Sequence, residues 1–292
     1  MPFKGLGVRI SPWAQKYMIT AIKKDEDGTI QLTVTIPWEL VKKTKEEVIE
    51  EHIKEAQLPG FRKGKAPRKI VEENLDQDHL REDVLKKLLP QGYAEALKEH
   101  KINPVLSPKV HVEKLEDGKD WAFTAFTAEA PVVTLGKYKD AVSKVTAKSK
   151  IIVPGKEPTP ISFEDISKAL LETVTIKIPK IITEQEVDRL LSQTLDEVKR
   201  LGLTLDQYLA STGRNIEQLR EEYQKKAETD IKLEFVLQKI AETEGIKVED
   251  KEVEEAITQA KTDAERQNLQ NNRYLLAGII RQQKTLDFLR SL

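Results

Sequence analysis

Hydrophobic and polar residues alternate along two short stretches near the start of the chain. In Thr29–Ile36 the apolar side chains occupy every second position, which places them on one face of a β-strand. A second β-rich run covers Tyr17–Lys23, and the segment Asp25–Gly28 between the two runs ends in Asp-Gly, a strong turn signal. The pattern therefore predicts a β-hairpin with one buried face.

Helical spacing of apolar residues replaces this alternation after Pro37. The spacing and the prolines predict three helices, at about residues 37–58, 67–74 and 78–99. A second hairpin should follow, with strands at Lys109–Leu115 and Trp121–Glu129. The order β-β-α-α-α-β-β indicates an α+β N-terminal domain, which we place at residues 17–138.

The rest of the chain has the spacing of long helices with narrow hydrophobic stripes. N-terminal capping signals begin at Ser162, Thr183, Thr204 and Asn215. We therefore expect residues 161–292 to form an elongated all-α domain of helical hairpins.

Two further segments have a different composition. Residues 139–160 are rich in Ala, Ser, Thr, Lys and Pro, which predicts a linker between the two domains. Residues 1–16 contain Gly and Pro without a periodic pattern, and we interpret them as an N-terminal extension.

Charge and composition narrow the classes of function. Lys and Arg number 48 and Asp and Glu number 49, so the net charge is −1 and any basic binding site must be local. The chain has no cysteine, which excludes disulfides, thiolate metal sites and cysteine nucleophiles. Hydrophobic residues make up 39% and aromatic residues 5%, which fits helices that each bury one stripe.

The usual signatures of catalysis are missing from the sequence. The histidines His52, His79, His100 and His111 do not stand at metal-ligand spacing with a second ligand, and no P-loop pattern occurs. We therefore expect no catalytic residue, no metal, no cofactor and no use of ATP. No apolar run is long enough for a membrane span and no signal peptide is recognisable, so we expect a cytoplasmic protein without a membrane partner.

The sharpest local feature is a basic loop after the first predicted helix. Its residues are Gly60, Phe61, Arg62, Lys63, Gly64 and Lys65. The glycines permit tight turns, and three cations surround one aromatic side chain. Such a loop suits a polyanionic partner that also offers an apolar notch, meaning RNA together with protein. The alternative interpretation is a solvated basic loop whose phenylalanine folds back onto the helix stripe.

The order of elements around this loop resembles the ribosome-binding domain of bacterial trigger factor. The loop matches the family signature Gly-Phe-Arg-x-Gly-Lys at every fixed position. Further segments are similar to the family, namely Leu58-Pro59, Ala66-Pro67, Arg81–Leu85 and Lys101–Pro104. The resemblance covers residues 17–138 and continues more weakly through residues 161–292.

The resemblance implies a ribosome-associated chaperone that binds nascent or unfolded polypeptides at the exit tunnel and assists folding and export. Loop 60–65 would contact an exit-tunnel protein and ribosomal RNA. A homodimer of free molecules is left open by the resemblance.

The chain also departs from the family pattern. Trigger factors usually carry a prolyl isomerase domain of the FKBP class between these two parts, and such a domain needs on the order of 80–100 residues. Residues 139–160 are too few for it and contain no aromatic residue. We therefore expect no enzymatic activity. The alternatives are an isomerase with a degenerate site and a ribosome-assembly scaffold that binds one folded partner.

An apolar stripe near the end of the chain is the candidate client-binding surface. It consists of Leu275, Leu276, Ile279 and Ile280. We expect about three quarters of these side chains to be core, because a helical hairpin needs them for packing. The exposed remainder would contact an unfolded client.

Overall fold

The computed structural model describes residues 18–57, 59–113, 115–149 and 162–292. The chain divides into two compact units, one ending at Ala130 and the other beginning at Pro131. The predicted N-terminal extension and residues 150–160 of the predicted linker lie outside the described residues.

The N-terminal unit is an antiparallel sheet packed against helices. Its elements are β1 (Ile19–Lys24), β2 (Thr29–Ile36), α1 (Trp38–Glu55), α2 (Arg68–Asn74), α3 (Gln77–His100), β3 (Lys109–Val112) and β4 (Trp121–Ala128). The strand order is β1-β2-β4-β3, and β2 pairs with β4 along its whole length. This confirms the α+β fold class and the element order that the sequence predicted.

The core of this unit follows from the alternation in β2. Leu32, Val34 and Ile36 are buried on one face, where they pack with side chains of α1 and α3. Trp121 and Phe123 of β4 join the same cluster, and the Trp121 indole N–H donates to the Glu116 carbonyl. The hydrophobic face of the sheet thus fixes α1, whose C-terminal end leads into loop 60–65.

The C-terminal unit is mainly helical. Its elements are β5 (Val133–Leu135), α4 (Tyr138–Ser149), α5 (Phe163–Thr173), β6 (Val174–Ile176), α6 (Lys180–Arg200), α7 (Leu205–Thr212), α8 (Ile216–Thr243), α9 (Asp250–Thr258), α10 (Asp263–Asn271) and α11 (Arg273–Ser291). Helices α6 and α8 pack together, as do α4 and α5, and α11 packs on α8. The helical architecture agrees with the sequence prediction, apart from the two-stranded sheet β5–β6.

The structure differs from the sequence prediction at the junction of the two units. Residues 138–149 form helix α4 where the composition predicted a linker, and the C-terminal unit begins at Pro131 rather than at 161. The physical reason is a buried stripe at a spacing of four residues, made by Tyr138, Val142 and Thr146. Alanine and lysine in this segment favour a helix as readily as a linker.

Three of the four capping predictions are confirmed. The side chains of Ser162, Thr204 and Asn215 each accept a hydrogen bond from a backbone N–H of the following turn. The prediction at Thr183 is wrong, because α6 begins at Lys180 and Thr183 is buried inside it. Pro179 takes the preceding position, where the missing N–H costs little.

Candidate functional site

Loop 60–65 connects α1 to α2, and a backbone hydrogen bond attaches it to the end of α1. The Gly64 N–H donates to the Ala56 carbonyl at 3.0 Å, which fastens the end of the loop to the helix terminus. Within the loop, the Lys65 N–H donates to the Arg62 carbonyl at 2.9 Å and closes a turn. Residues Phe61 to Lys63 of this loop are exposed.

Both glycines of the loop have backbone conformations that other residues rarely adopt. Gly60 has φ +86° and Gly64 has φ +72°. A Cβ on Gly64 would lie 2.8 Å from the Lys54 carbonyl oxygen, whereas a Cβ on Gly60 would meet nothing within 4 Å. Gly64 is therefore required for the close approach to α1, and Gly60 only for the turn.

The end of α1 that supports this loop is itself fixed to α3. The His52 Nε2 atom lies 3.1 Å from the Asp83 Oδ2 atom. The Lys86 ammonium, together with the His52 ring, holds the pKa of Asp83 below its ordinary value. Asp83 is therefore ionised at neutral pH and available to both partners.

Phe61 does not belong to the hydrophobic core of the described N-terminal residues. Its side chain is 39% exposed, although large apolar side chains are usually buried. The next apolar residue, Ala66, is 5% exposed and marks the point where the chain returns to the protein. Part of the Phe61 side chain is therefore accessible to solvent.

The cations of the loop are exposed and have no salt bridge within the described residues. Arg62, Lys63 and Lys65 are all in this state. Arg68, at the start of α2, instead binds Glu46 and Glu72, and these carboxylates raise its pKa. The basic charge of the loop is therefore available to a partner, whereas the charge of Arg68 is neutralised by carboxylates of the protein itself.

The apolar stripe of α11 is more exposed than the sequence predicted. Leu275 and Ile279 are 64% and 55% exposed, and Leu276 and Ile280 are half-buried. The prediction that most of these side chains are core is wrong, because α11 uses its C-terminal half for packing. Thr285 and Leu289 are the buried positions of that helix.

The exposed half of α11 borders a groove of about 700 Å³. The groove is lined by residues 234, 237, 238 and 241 of α8, by 246–248 after α8, and by 274, 275, 277–279, 281, 282 and 285 of α11. Tyr274, which is 95% exposed, stands at its rim with Leu275 and Ile279. We call this feature the α11 groove.

Sequence reasoning missed Tyr274, Gly278 and segment 246–248 as parts of this groove. Helical spacing could have found the first two, because Tyr274 and Gly278 lie four residues apart beside Leu275 and Ile279. Segment 246–248 had no local signal, since only tertiary packing brings it to α11.

The remaining chemistry of the described residues is limited. No group of three or more His, Asp or Glu side chains is placed to hold a metal ion in the parts of the chain that the structure describes. Among the described helices, none combines the length and the apolar character needed to cross a membrane.

Comparison with known families identifies the group to which this chain belongs. A family model described as bacterial trigger factor protein matches residues 18–157, and one described as its C-terminus matches residues 162–291. The chain belongs to the trigger factor family. The two trigger factor matches are separated only by residues 158–161, which leaves no room for a further domain between them.

Individual trigger factors match parts of the chain. The trigger factor of Staphylococcus epidermidis is 42% identical over 122 residues, which are 42% of this chain and 28% of that protein. The trigger factor of Macrococcus caseolyticus is 34% identical over 163 residues, 56% of this chain and 36% of that protein. The matched region thus spans about a third of the length of these curated relatives.

A solved structure supports the fold. It comes from work on promiscuous substrate recognition in folding and assembly activities of the trigger factor chaperone. The TM-score is 0.58 at 15% identity, and the alignment covers 93% of this chain and 99% of that chain.

Proposed function

We propose that this chain is an ATP-independent chaperone that docks on the ribosome and holds nascent or unfolded polypeptides. The observation that carries the proposal is loop 60–65, where an exposed Phe61 stands among three exposed cations on a backbone fixed by Gly64. Membership of the trigger factor family supports the same function. Neither the degenerate isomerase nor the assembly scaffold is favoured by these observations.

Docking would combine two kinds of contact. Phe61 would enter an apolar notch on a protein at the exit tunnel, because its burial there removes an exposed aromatic surface from water. Arg62, Lys63 and Lys65 would bind acidic side chains and ribosomal RNA phosphates. Phosphate contacts release counterions, so binding should weaken as salt rises.

Client binding would take place in the C-terminal unit. The α11 groove offers exposed apolar side chains next to charged and amide groups, which suits weak and reversible contact with an unfolded segment. Such binding needs no covalent step and no nucleotide. Reversible binding of this kind would assist the folding of clients, and it would also assist the export of clients that must stay unfolded.

We further propose that the chain has no isomerase activity, lacks a cofactor and works in the cytoplasm, where its ribosomal partner is found. The four residues between the two family matches support the first point. Free molecules would form a homodimer in the absence of ribosomes, and this can be measured by sedimentation velocity.

Ribosome co-sedimentation tests the docking step. The triple variant Phe61→Ala, Arg62→Ala, Lys63→Ala should lose ribosome association by tenfold or more in affinity, on the order of 1.4 kcal/mol. The matched control removes one exposed apolar side chain and two exposed cations elsewhere in the unit, as Val105→Ala, Lys42→Ala, Lys98→Ala. The control should sediment like the wild type, and undiminished sedimentation of the loop variant would refute the docking assignment.

A further inference from the structure

The α11 groove contains an opening at one glycine. Gly278 lies inside α11, where glycine lowers helix propensity relative to alanine. A Cβ added at Gly278 would meet nothing within 4 Å, so space remains above its backbone. Tyr274 and Leu275 lie one turn before it and Gln282 one turn after, which makes the opening a notch on the helix surface.

The opposite wall of the groove is held in place by hydrogen bonds from α11. The Arg281 Nε–H donates to the Ile246 carbonyl at 3.2 Å. The Lys284 ammonium donates to the Lys247 carbonyl at 2.7 Å and also binds Glu252. Segment 246–248 is therefore fixed beside the notch, and the groove does not need to be formed by a ligand.

The charges around the notch are unequally neutralised. Neither Lys247 nor Arg281 has an acidic partner among the residues that the structure describes. Some acidic groups of the neighbouring elements bind cations, as Glu244 with Lys139, Glu252 with Lys284 and Glu254 with Arg273. Glu249 and Asp250, which follow segment 246–248, have no salt bridge among the described residues, but they do not line the groove. Glu234 is the acid in the groove lining and belongs to the α8 wall. The charged residues that line the groove next to segment 246–248 are thus the cations Lys247 and Arg281.

From this geometry we infer that the α11 groove binds an extended segment of unfolded polypeptide in which a bulky apolar residue stands beside Asp or Glu. The apolar side chain fills the notch at Gly278 between Tyr274 and Gln282, and the carboxylate lies near Lys247 and Arg281. The inference rests on the proposed chaperone function, because it assumes that the occupant is an unfolded chain. It adds the anchor position and the preference for acidic neighbours.

Two features of this arrangement determine binding separately. The notch selects for apolar volume, and burying one large side chain changes affinity by about tenfold or more. The cations select for charge, and an exposed ion pair changes affinity by about two- to fivefold. A segment with the apolar residue between lysines should therefore bind more weakly than one with the same residue between aspartates.

Fluorescence anisotropy with the full chain and three labelled, disordered peptides tests the inference. The peptides are identical except for a central Phe between Asp residues, a central Phe between Lys residues, and a central Ser between Asp residues. We expect the first to bind most tightly, about threefold more tightly than the second and about tenfold more tightly than the third.

Two variants with matched controls locate the site. Gly278→Leu should fill the notch and lower the affinity for the first peptide by about tenfold. Gln283→Leu adds the same side chain to α11 outside the groove and should leave that affinity unchanged. Lys247→Glu should remove the preference for the acidic peptide, and Lys251→Glu, at an exposed position of α9, should leave it intact. Circular dichroism verifies that each variant is folded.

The outcomes separate this inference from the proposed function. The inference would be overturned if the Gly278→Leu variant bound each peptide with the same affinity as the wild type, or if the wild type bound the lysine-flanked peptide more tightly than the aspartate-flanked one. The proposed function would stand in both cases if the wild type still suppressed aggregation. A dimer that dissociates in Gly278→Leu would assign the groove to a second copy of the chain and also overturn it. Failure of the wild type both to suppress aggregation and to bind ribosomes would instead contradict the proposed function.

Discussion

Loop 60–65 and the α11 groove are both exposed apolar features, yet they are built in opposite ways. The loop is one contiguous segment whose shape depends on Gly64 and on two backbone hydrogen bonds. The groove is assembled from α8 and the segment 246–248 that follows it, together with α11, which comes later in the chain after α9 and α10. A contiguous loop can present one fixed set of groups to one partner, whereas an assembled groove offers a broad surface to varied segments. The difference matches the proposed division between docking and client binding.

The largest effect that would test this comparison is expected from Gly64→Ala. Its Cβ would collide with the Lys54 carbonyl in a left-handed backbone conformation, so the loop must move away from α1. We expect a loss of about 2 kcal/mol in the free energy of unfolding and at least a tenfold loss in ribosome affinity. Chemical denaturation and co-sedimentation measure the two quantities.

Gly60→Ala is the matched control for that variant. Its backbone conformation is also left-handed, but the Cβ meets nothing within 4 Å. We expect the free energy of unfolding to fall by about 1 kcal/mol, and ribosome affinity to fall less than in Gly64→Ala. Equal effects of the two substitutions would show that contact with α1 does not shape the loop.

The next effect concerns the groove. The double variant Leu275→Glu, Ile279→Glu places charge on exposed positions, so the free energy of unfolding should change by no more than about 1 kcal/mol. Suppression of aggregation of a denatured test protein should fall several-fold without nucleotide, while ribosome association stays unchanged. A control with Gln270→Glu and Gln283→Glu adds the same charge to the unit outside the groove. Equal loss in both double variants would argue for a general charge effect.

A smaller effect is expected from Arg68→Ala, just outside the loop. Because these salt bridges with Glu46 and Glu72 are exposed to solvent, removing the guanidinium should lower the stability of the protein only slightly. Ribosome affinity should change by less than about twofold, in contrast to the loss from removing Lys63. A large loss of affinity for Arg68→Ala would remove the distinction between paired and available cations.

The smallest effect concerns pH and the C-terminal unit. The Lys139 ammonium and then the Tyr138 hydroxyl hold the pKa of Glu244 below its ordinary value. A carboxylate with a lowered pKa stabilises the folded state above the pKa of the unfolded chain, near 4.3, and this stabilisation is lost as pH falls through the folded pKa. Glu244→Gln should therefore lower stability at neutral pH and flatten its decline below about pH 4.5. Parallel pH profiles of the two proteins would contradict this assignment.

Local patterns made part of this structure predictable. The alternation in β2 and the Gly-Phe-Arg-x-Gly-Lys signature depend on neighbouring residues, so the sheet and loop 60–65 could be located from sequence. Helix α4 was hidden because its Ala- and Lys-rich composition is shared by linkers, and only burial of Val142 against other elements distinguishes them. The exposure of Leu275 and Ile279 was underestimated because periodicity identifies an apolar face but does not say which half of α11 finds a partner.

Site-specific photo-crosslinking tests the division between the two regions most directly. A photoreactive amino acid would replace Phe61 in one sample and Leu275 in another, each added to translating ribosomes that carry a labelled, unfolded nascent chain. We predict that position 61 crosslinks to a ribosomal protein and position 275 to the nascent chain. Crosslinks from position 61 to the nascent chain alone, or from position 275 to ribosomal protein alone, would contradict the account.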